Sequence, residues 1–148
     1  MSTTNIPAFD TSINKTKEWL KEIREELHLD DDQQAYVALR AVLHVVRDRL
    51  VPDEACDFAA QFPLLVRGFY FEGWKPSGRP MEIDTEEEFL GRVQHEMHRQ
   101  NTPKLADPRR ITLGVLRTMD RHVTGGELSK VVQSFPKQLR NLWCQAAA

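Results

Sequence analysis

The sequence lacks three features that would assign a class of protein at once: many cysteines, an excess of charge of one sign, and a long apolar run. Its two cysteines, Cys56 and Cys144, lie far apart and match no metal-ligand spacing, which favours free thiols over a single disulfide. Its 20 basic and 22 acidic residues nearly cancel, so no general attraction to nucleic acid or to an anionic membrane is expected. No apolar run is long enough to span a bilayer.

Local motifs of common enzymes are missing as well. The chain has no Gly-x-Ser-x-Gly elbow, phosphate-binding loop or dinucleotide fingerprint. No serine or cysteine stands beside His44 or His122, and no cation stands beside Cys56 to activate its thiol. We expect no cofactor and no catalytic residues, although a site assembled from distant residues stays an alternative.

What the sequence does contain is enough apolar surface for a core. Apolar residues make up 41% of its 148 residues, which suits one domain or two very small ones. The start, "MSTTNIPAFD", lacks the basic and apolar regions of a signal peptide, so we expect a cytoplasmic protein.

The chain also repeats itself. Residues 38–70 align without a gap on residues 111–143, which places Phe62-Pro63 on Phe135-Pro136 at an offset of 73. Upstream the offset becomes 70, and "WLKEIREELH" (19–28) lies on "FLGRVQHEMH" (89–98). This pattern predicts an internal duplication of about sixty residues.

The pattern of apolar residues predicts four helices in each copy, since these residues recur at helical spacing and no alternation typical of strands is present. The first helices span about 14–28 and 86–99, and the second span about 33–50 and 108–123. A short third helix follows "VPDE" or "TGGE", and a fourth begins at each Phe-Pro step. We predict an all-α fold of two tandem related four-helix units, packed into one compact helical domain. Its parts would be an N-terminal tail (1–13), a first repeat (14–74), a connector (75–84), a second repeat (85–144) and a C-terminal tail (145–148).

Four residues near the ends of the predicted first helices have the spacing of metal ligands. Glu25 and His28 are three residues apart, as are His95 and His98, and the repeat places the two pairs at equivalent positions. Residues at i and i+3 share a helix face, so the two pairs could form a Glu/His₃ site between the repeats. The favoured alternative is that these histidines stabilise exposed carbonyls at helix C-termini.

A second candidate site surrounds the last helix of the first copy. Arg67, Tyr70, Glu72 and Trp74 could build an anion-binding or ring-stacking pocket. A structural Arg67, whose stem covers the core, is the favoured alternative because the second copy repeats it as Arg140.

The connector "KPSGRPMEID" (75–84) has no equivalent after the second copy. Its proline and glycine residues stop one helix, and Asp84-Thr85 begins the next. Plain linkage, with Trp74 packed into the core, is favoured over a partner-binding loop that would use Lys75 and Arg79.

The two halves carry opposite charge. Residues 14–73 contain 8 basic and 12 acidic residues, whereas residues 86–145 contain 10 basic and 7 acidic ones. Arg110, Arg117 and Arg121 form a basic ridge on one predicted helix, which could touch phosphates, face solvent, or contact the acidic half. Nucleic-acid binding is not expected because interleaved aromatic residues are missing.

The segments "TKEWLKEI" and "AYVALRAVLHVVRDRLVPDEACDFAAQFPLLVRGFYFEGWKPSG" resemble an uncharacterised bacterial family, domain of unknown function 2267, over about residues 9–144. The resemblance implies an all-helical, cytoplasmic protein with a duplicated plan, and it supplies no activity or catalytic residues. Gly114 and Thr112 depart from it by standing inside a long helix, and the glycine costs up to about 1 kcal/mol of helix stability.

Together these observations favour a non-enzymatic interaction or accessory module with a protein partner, and a homodimer is possible. Its contact residues would be Trp74, Lys75, Arg79 and the basic ridge. The alternative is a metal- or small-ligand-binding protein with a site between the repeats.

Overall fold

The computed structural model describes residues 4–97, 103–123 and 125–147. Within these ranges the chain forms eight α-helices and one 3₁₀ turn, and no strand, which confirms the predicted all-α class. No helix there is both long and apolar enough to cross a bilayer. The helices are α1 (Pro7–Leu27), α2 (Asp32–Arg49), α3 (Pro52–Ala59), α4 (Leu64–Phe71), α5 (Glu86–Met97), α6 (Pro108–His122), α7 (Gly125–Ser134) and α8 (Lys137–Ala147), with the 3₁₀ turn at Pro103–Leu105.

Several helices begin where the sequence carries a capping residue. The side chains of Asp31 and Asp107 accept backbone N–H groups in the first turns of α2 and α6. Thr85 accepts the backbone N–H of Glu88 at 3.1 Å and donates its hydroxyl to the Glu88 carboxylate at 3.2 Å. Thr85 therefore caps the start of α5, where the sequence predicts that this helix begins.

Helix α1 departs most from its predicted bounds, because it begins at Pro7 rather than near residue 14. Its N-cap, Ile6, has no side-chain cap, so the start signals in the sequence are the proline and the acidic Asp10 in the first turn. The buried Ser12 accepts the backbone N–H of Leu65 in α4 at 2.7 Å. This contact between distant segments fixes the extra turns of α1 against α4.

Helices α2 and α6 lie at the centre of the fold and contact each other. In the first half α1 packs on α2 and α4, and α2 packs on α4; in the second half α5 packs on α6 and α8, and α6 packs on α8. The halves meet through α1–α6, α2–α5, α2–α6 and α3–α7. Both cysteines are free and exposed.

The α1–α6 contact depends on a glycine. A Cβ atom at Gly114 would lie 2.5 Å from Cδ2 and 2.7 Å from Cγ of Leu27, which is itself 2% exposed. Arg110 also donates a guanidinium N–H to the backbone carbonyl of Leu27, the last residue of α1. The glycine that weakens α6 as an isolated helix therefore lets α6 approach α1 closely.

We predict that Gly114→Ala destabilises the protein by about 1 kcal/mol. Overpacking against Leu27 costs roughly 1–3 kcal/mol, which outweighs a gain of about 1 kcal/mol in helix propensity. Gly91→Ala is the matched control, because nothing lies within 4 Å of a Cβ at that exposed position in α5. The control should gain about 0.5–1 kcal/mol in urea unfolding, and equal shifts for both variants would contradict the packing explanation.

Candidate functional site

An apolar groove opens between the first turns of α1 and the start of α4. Phe9, Leu64 and Leu65 stand at its edges with exposed fractions of 45%, 52% and 48%, and its volume is about 420 Å³. Ile6, the N-cap residue of α1, is also 45% exposed. The residues that line the groove are Thr4, Phe9, Ser12, Ile13, Leu64, Leu65 and Gly68, and none of them is charged.

The predicted repeat aligns the start of α4 with the start of α8, where the surface is polar. At an offset of 73, Leu64 and Leu65 correspond to Lys137 and Gln138 at the start of α8, where both are exposed. The extra turns of α1 have no helical counterpart, because an offset of 70 places them on the connector before α5. Leu64 and Leu65 are therefore apolar where the aligned residues of α8 are polar, and a contiguous exposed apolar patch is a candidate interaction surface.

The predicted basic ridge lies along α1 and stays partly exposed to solvent. Arg117 lies 3.4 Å from a carboxylate oxygen of Glu26, and Arg121 lies 3.6 Å from one of Glu22. His122 contacts Glu22 through Nε2, and its ring stacks on Trp19 with 5.0 Å between the ring centroids. The opposite charges of the two halves thus meet within one chain.

A smaller pocket opens beside this stack. Its volume is about 230 Å³, and it lies where α1 and the end of α6 meet the turn between α3 and α4. Aromatic rings of Trp19 and Phe62 form part of its wall, and their centroids are 5.7 Å apart in an edge-on arrangement. We call this the seam pocket, and the residues that line it are Lys15, Glu18, Trp19, Gln61, Phe62, Pro63 and His122.

The last turns of α2 hold the connector in place. Asp48 accepts a bond from Arg79 Nε at 3.2 Å, and its backbone carbonyl accepts the backbone N–H of Met81 at 2.8 Å. Arg49 Nε donates to the carbonyl of Ile83, whose side chain is fully buried. Among the predicted connector contacts, Arg79 is thus used internally and Lys75 is exposed.

The predicted pocket around α4 is used for packing. Arg67 donates to the carbonyls of Ala59 and Phe62, and the buried Tyr70 donates its hydroxyl to Ala55 at 2.9 Å. Burial raises the pKa of the Tyr70 phenol far above its ordinary value. Trp74 is partly buried and packs against the core.

The predicted metal ligands do not form a complete set in the described ranges. His28 is the C-cap of α1 with a left-handed φ of 53°, and Glu25 is exposed one turn before it. His95 is exposed on α5, and His98 lies outside the described residues. Across the parts of the chain that the structure describes, no three His, Cys, Asp or Glu side chains group as metal ligands.

The chain matches a known protein family over most of its length. A family model described as "Uncharacterized conserved protein (DUF2267)" matches residues 16–142, which is most of the chain. The chain belongs to this family. No curated protein matches it significantly.

Membership in DUF2267 confirms the resemblance seen in the sequence. The matched residues include α4, so they cover Leu64 and Leu65. Phe9, Ser12 and Ile13 precede the match, so one wall of the groove lies outside the family model. The groove cannot be read from the sequence, because its two walls are about fifty residues apart and one of them lies in the predicted N-terminal tail.

A charged cluster joins α2 to α5 on another side of the molecule. Glu96 of α5 lies 3.8 Å from Nδ1 of the buried His44 and 3.9 Å from Arg40. The His44 imidazole, followed by Arg40 and Arg47, lowers the pKa of the Glu96 carboxyl against the opposing effect of burial. Nε2 of His44 is occupied by the carbonyl of Phe69 at 2.6 Å.

We predict that this cluster makes stability fall in acid. A carboxyl whose folded-state pKa is below its ordinary value of 4.5 stabilises the fold above that value. The contribution is lost as the pH falls below 4.5 and through the lowered folded-state pKa. Glu96→Gln should therefore flatten the dependence of the unfolding free energy on pH between about 5 and 3, measured by urea unfolding.

Glu72→Gln provides the control for Glu96. Arg40 lowers the pKa of Glu72 too, but Glu72 is fully exposed, so salt screens the interaction. At physiological salt we expect the pH profile of this variant to match the wild type. A profile that is as steep in Glu96→Gln as in the wild type would refute the assigned role of the cluster.

Proposed function

We propose that this protein is a non-enzymatic protein-interaction module that docks a protein partner through the groove between α1 and α4. The observation that carries the proposal is the uncharged groove of about 420 Å³ edged by Phe9, Leu64 and Leu65, each about half exposed. When a partner covers water-exposed apolar side chains, the free energy falls by roughly 25 cal/mol for each Å² of apolar area removed from water. The polar counterpart of this surface in the second half supports a role other than packing.

We also propose that the two halves are copies of one duplicated unit, because the comparison of α4 with α8 depends on that relationship. If the two halves are related copies, α1 corresponds to α5, α2 to α6 and α4 to α8. The α1–α6 contact should then recur as a contact between α5 and α2, and the α2–α4 contact as one between α6 and α8. Both of these contacts occur. Burial agrees at equivalent positions, since Trp19, Ile23 and Leu27 correspond to the buried Phe89, Val93 and Met97. These agreements support two related four-helix units, the first of which has gained a binding surface.

We predict that a photoreactive phenylalanine analogue in place of Phe9 forms a covalent adduct with a protein in the source cells. The adduct should disappear when Leu64→Lys and Leu65→Gln are added, because these are the residues found at the equivalent exposed positions of α8. Denaturing gels followed by mass spectrometry would detect it.

The matched control carries the same analogue in place of Gln138, on the equivalent surface of the second half. We expect background labelling from that position. Equal labelling from both positions, or no adduct from either, would overturn the assignment of the groove.

The seam pocket favours a second candidate function, the binding of a small polar organic molecule. Lys15, Glu18 and Gln61 supply a cation, a carboxylate and an amide beside the aromatic walls. A flat apolar group could pack on Trp19 and Phe62 while its polar groups meet these side chains. This site lies between the halves, as the sequence-based alternative required, but it uses other residues than the predicted metal ligands.

We predict that native mass spectrometry of protein purified gently from its host shows the 17.1 kDa chain with an added organic mass. Gln61→Trp should remove the added mass, since a large side chain at the mouth fills the pocket. The bare chain mass in the wild type, or an added mass that persists in the variant, would exclude ligand binding at this pocket.

A further inference from the structure

Two charged side chains that line the seam pocket are not used within the fold. Lys15 and Glu18 of α1 make no hydrogen bond or ion pair with another residue in the described part of the chain. They stand three residues apart, so they are neighbours on one helix face. One turn later on the same helix Glu22 is already occupied, since its carboxylate contacts Nε2 of His122 and lies 3.6 Å from Arg121. Lys15 and Glu18 are therefore the charges available to a molecule in the pocket.

The size of the seam pocket limits what it can enclose. Its volume is about 230 Å³, which is the share of liquid volume of about eight water molecules at roughly 30 Å³ each. A molecule of about eight to twelve non-hydrogen atoms fills such a space, because bonded atoms pack more closely than water molecules. This range includes free amino acids, whereas a nucleotide is too large to be enclosed.

The opposite charges of Lys15 and Glu18 decide the class of ligand. A simple anion beside Lys15 would also lie near the Glu18 carboxylate, and a simple cation beside Glu18 would lie near the Lys15 ammonium, so attraction and repulsion oppose each other. A zwitterion with an ammonium and a carboxylate on one carbon meets each side chain with the opposite charge. The amide of Gln61, which also lines the pocket, can donate to the carboxylate and accept from the ammonium.

The remaining walls of the pocket favour an apolar side group on that zwitterion. Trp19 and Phe62 meet edge-on with 5.7 Å between their ring centroids, and Pro63 follows Phe62 at the start of α4. A polar group placed against these residues would lose hydrogen bonds to water without replacing them, whereas an apolar group loses none.

We propose that the seam pocket binds a free amino acid with an apolar side chain, whose carboxylate pairs with Lys15 and whose ammonium pairs with Glu18. The proposal rests on the second candidate function above, since it names the class of molecule that the pocket holds. Because α1, the end of α6 and the α3–α4 turn all border the pocket, the bound amino acid bridges the two halves of the chain.

Isothermal titration calorimetry of the full chain with L-phenylalanine and L-leucine tests the proposal. Phenethylamine and isoamylamine keep the two side chains but lack the carboxylate, and hydrocinnamate and isocaproate lack the ammonium. At least one of the two amino acids should bind with a dissociation constant of about 1 mM or lower. Both of its analogues should bind at least about tenfold more weakly, because each loses one charge-assisted contact and keeps one like charge nearby.

Substitutions that remove one charge assign each contact. Lys15→Met and Glu18→Gln should each weaken binding of the amino acid about tenfold. Lys21→Met and Glu25→Gln are the matched controls, because they remove the same charges from exposed positions of α1 that do not line the pocket, and they should leave the affinity unchanged. All four side chains are exposed, so the melting temperature should stay close to that of the wild type.

Three results would overturn the proposal: no binding of either amino acid at about 10 mM, an analogue that binds as tightly as its parent, or unchanged affinity in either pocket variant. Native mass spectrometry separates these failures from failure of the second candidate function. An added organic mass that Gln61→Trp removes would then mean that the pocket holds another class of ligand. Absence of both amino acid binding and added mass would reject both proposals.

Discussion

The close approach of α1 and α6 at Gly114 is the contact on which the arrangement of the two halves depends. Because a Cβ at this position would overlap Leu27, the glycine sets how near the helices can lie. That spacing brings Glu22 and Glu26 of α1 within reach of Arg121 and Arg117 of α6. Each of these ion pairs is exposed enough to contribute little stability by itself. The apolar contact therefore fixes how closely α1 and α6 approach, and the charges favour one alignment of α1 along α6.

The path of α1 past α6 also accounts for two of the openings in the described part of the chain. Where α1 crosses the end of α6, Trp19 stacks on His122 and leaves the seam pocket against the α3–α4 turn. Further toward its N-terminus, α1 runs beyond the crossing and lies along α4, with Ser12 bonded to the backbone of Leu65. The groove lies between these two helices. They meet at Ser12, and Phe9, Leu64 and Leu65 at its edges stay half exposed.

Polar groups in the first half mainly complete the fold. The buried Arg47 donates to the carbonyls of Tyr70 and Glu72 at the end of α4, where helical partners are lacking. Asp48 and Arg49 extend this role to the connector. These contacts account for many of the residue types that suggest a binding site in the sequence, whereas the apolar side chains at the edges of the groove stay half exposed.

The sequence by itself determined the helical class, the start of α5 at Thr85, and the approximate bounds of α2, α5 and α6. These features depend on neighbours within a few residues, where periodicity and capping chemistry are decisive. Only the tertiary structure decided that α1 begins at Pro7, that the basic ridge meets Glu22 and Glu26, and that Phe9 joins Leu64 and Leu65 at one groove. Helical spacing shows which residues share a face, but the partner of that face is set by packing between segments far apart in the chain.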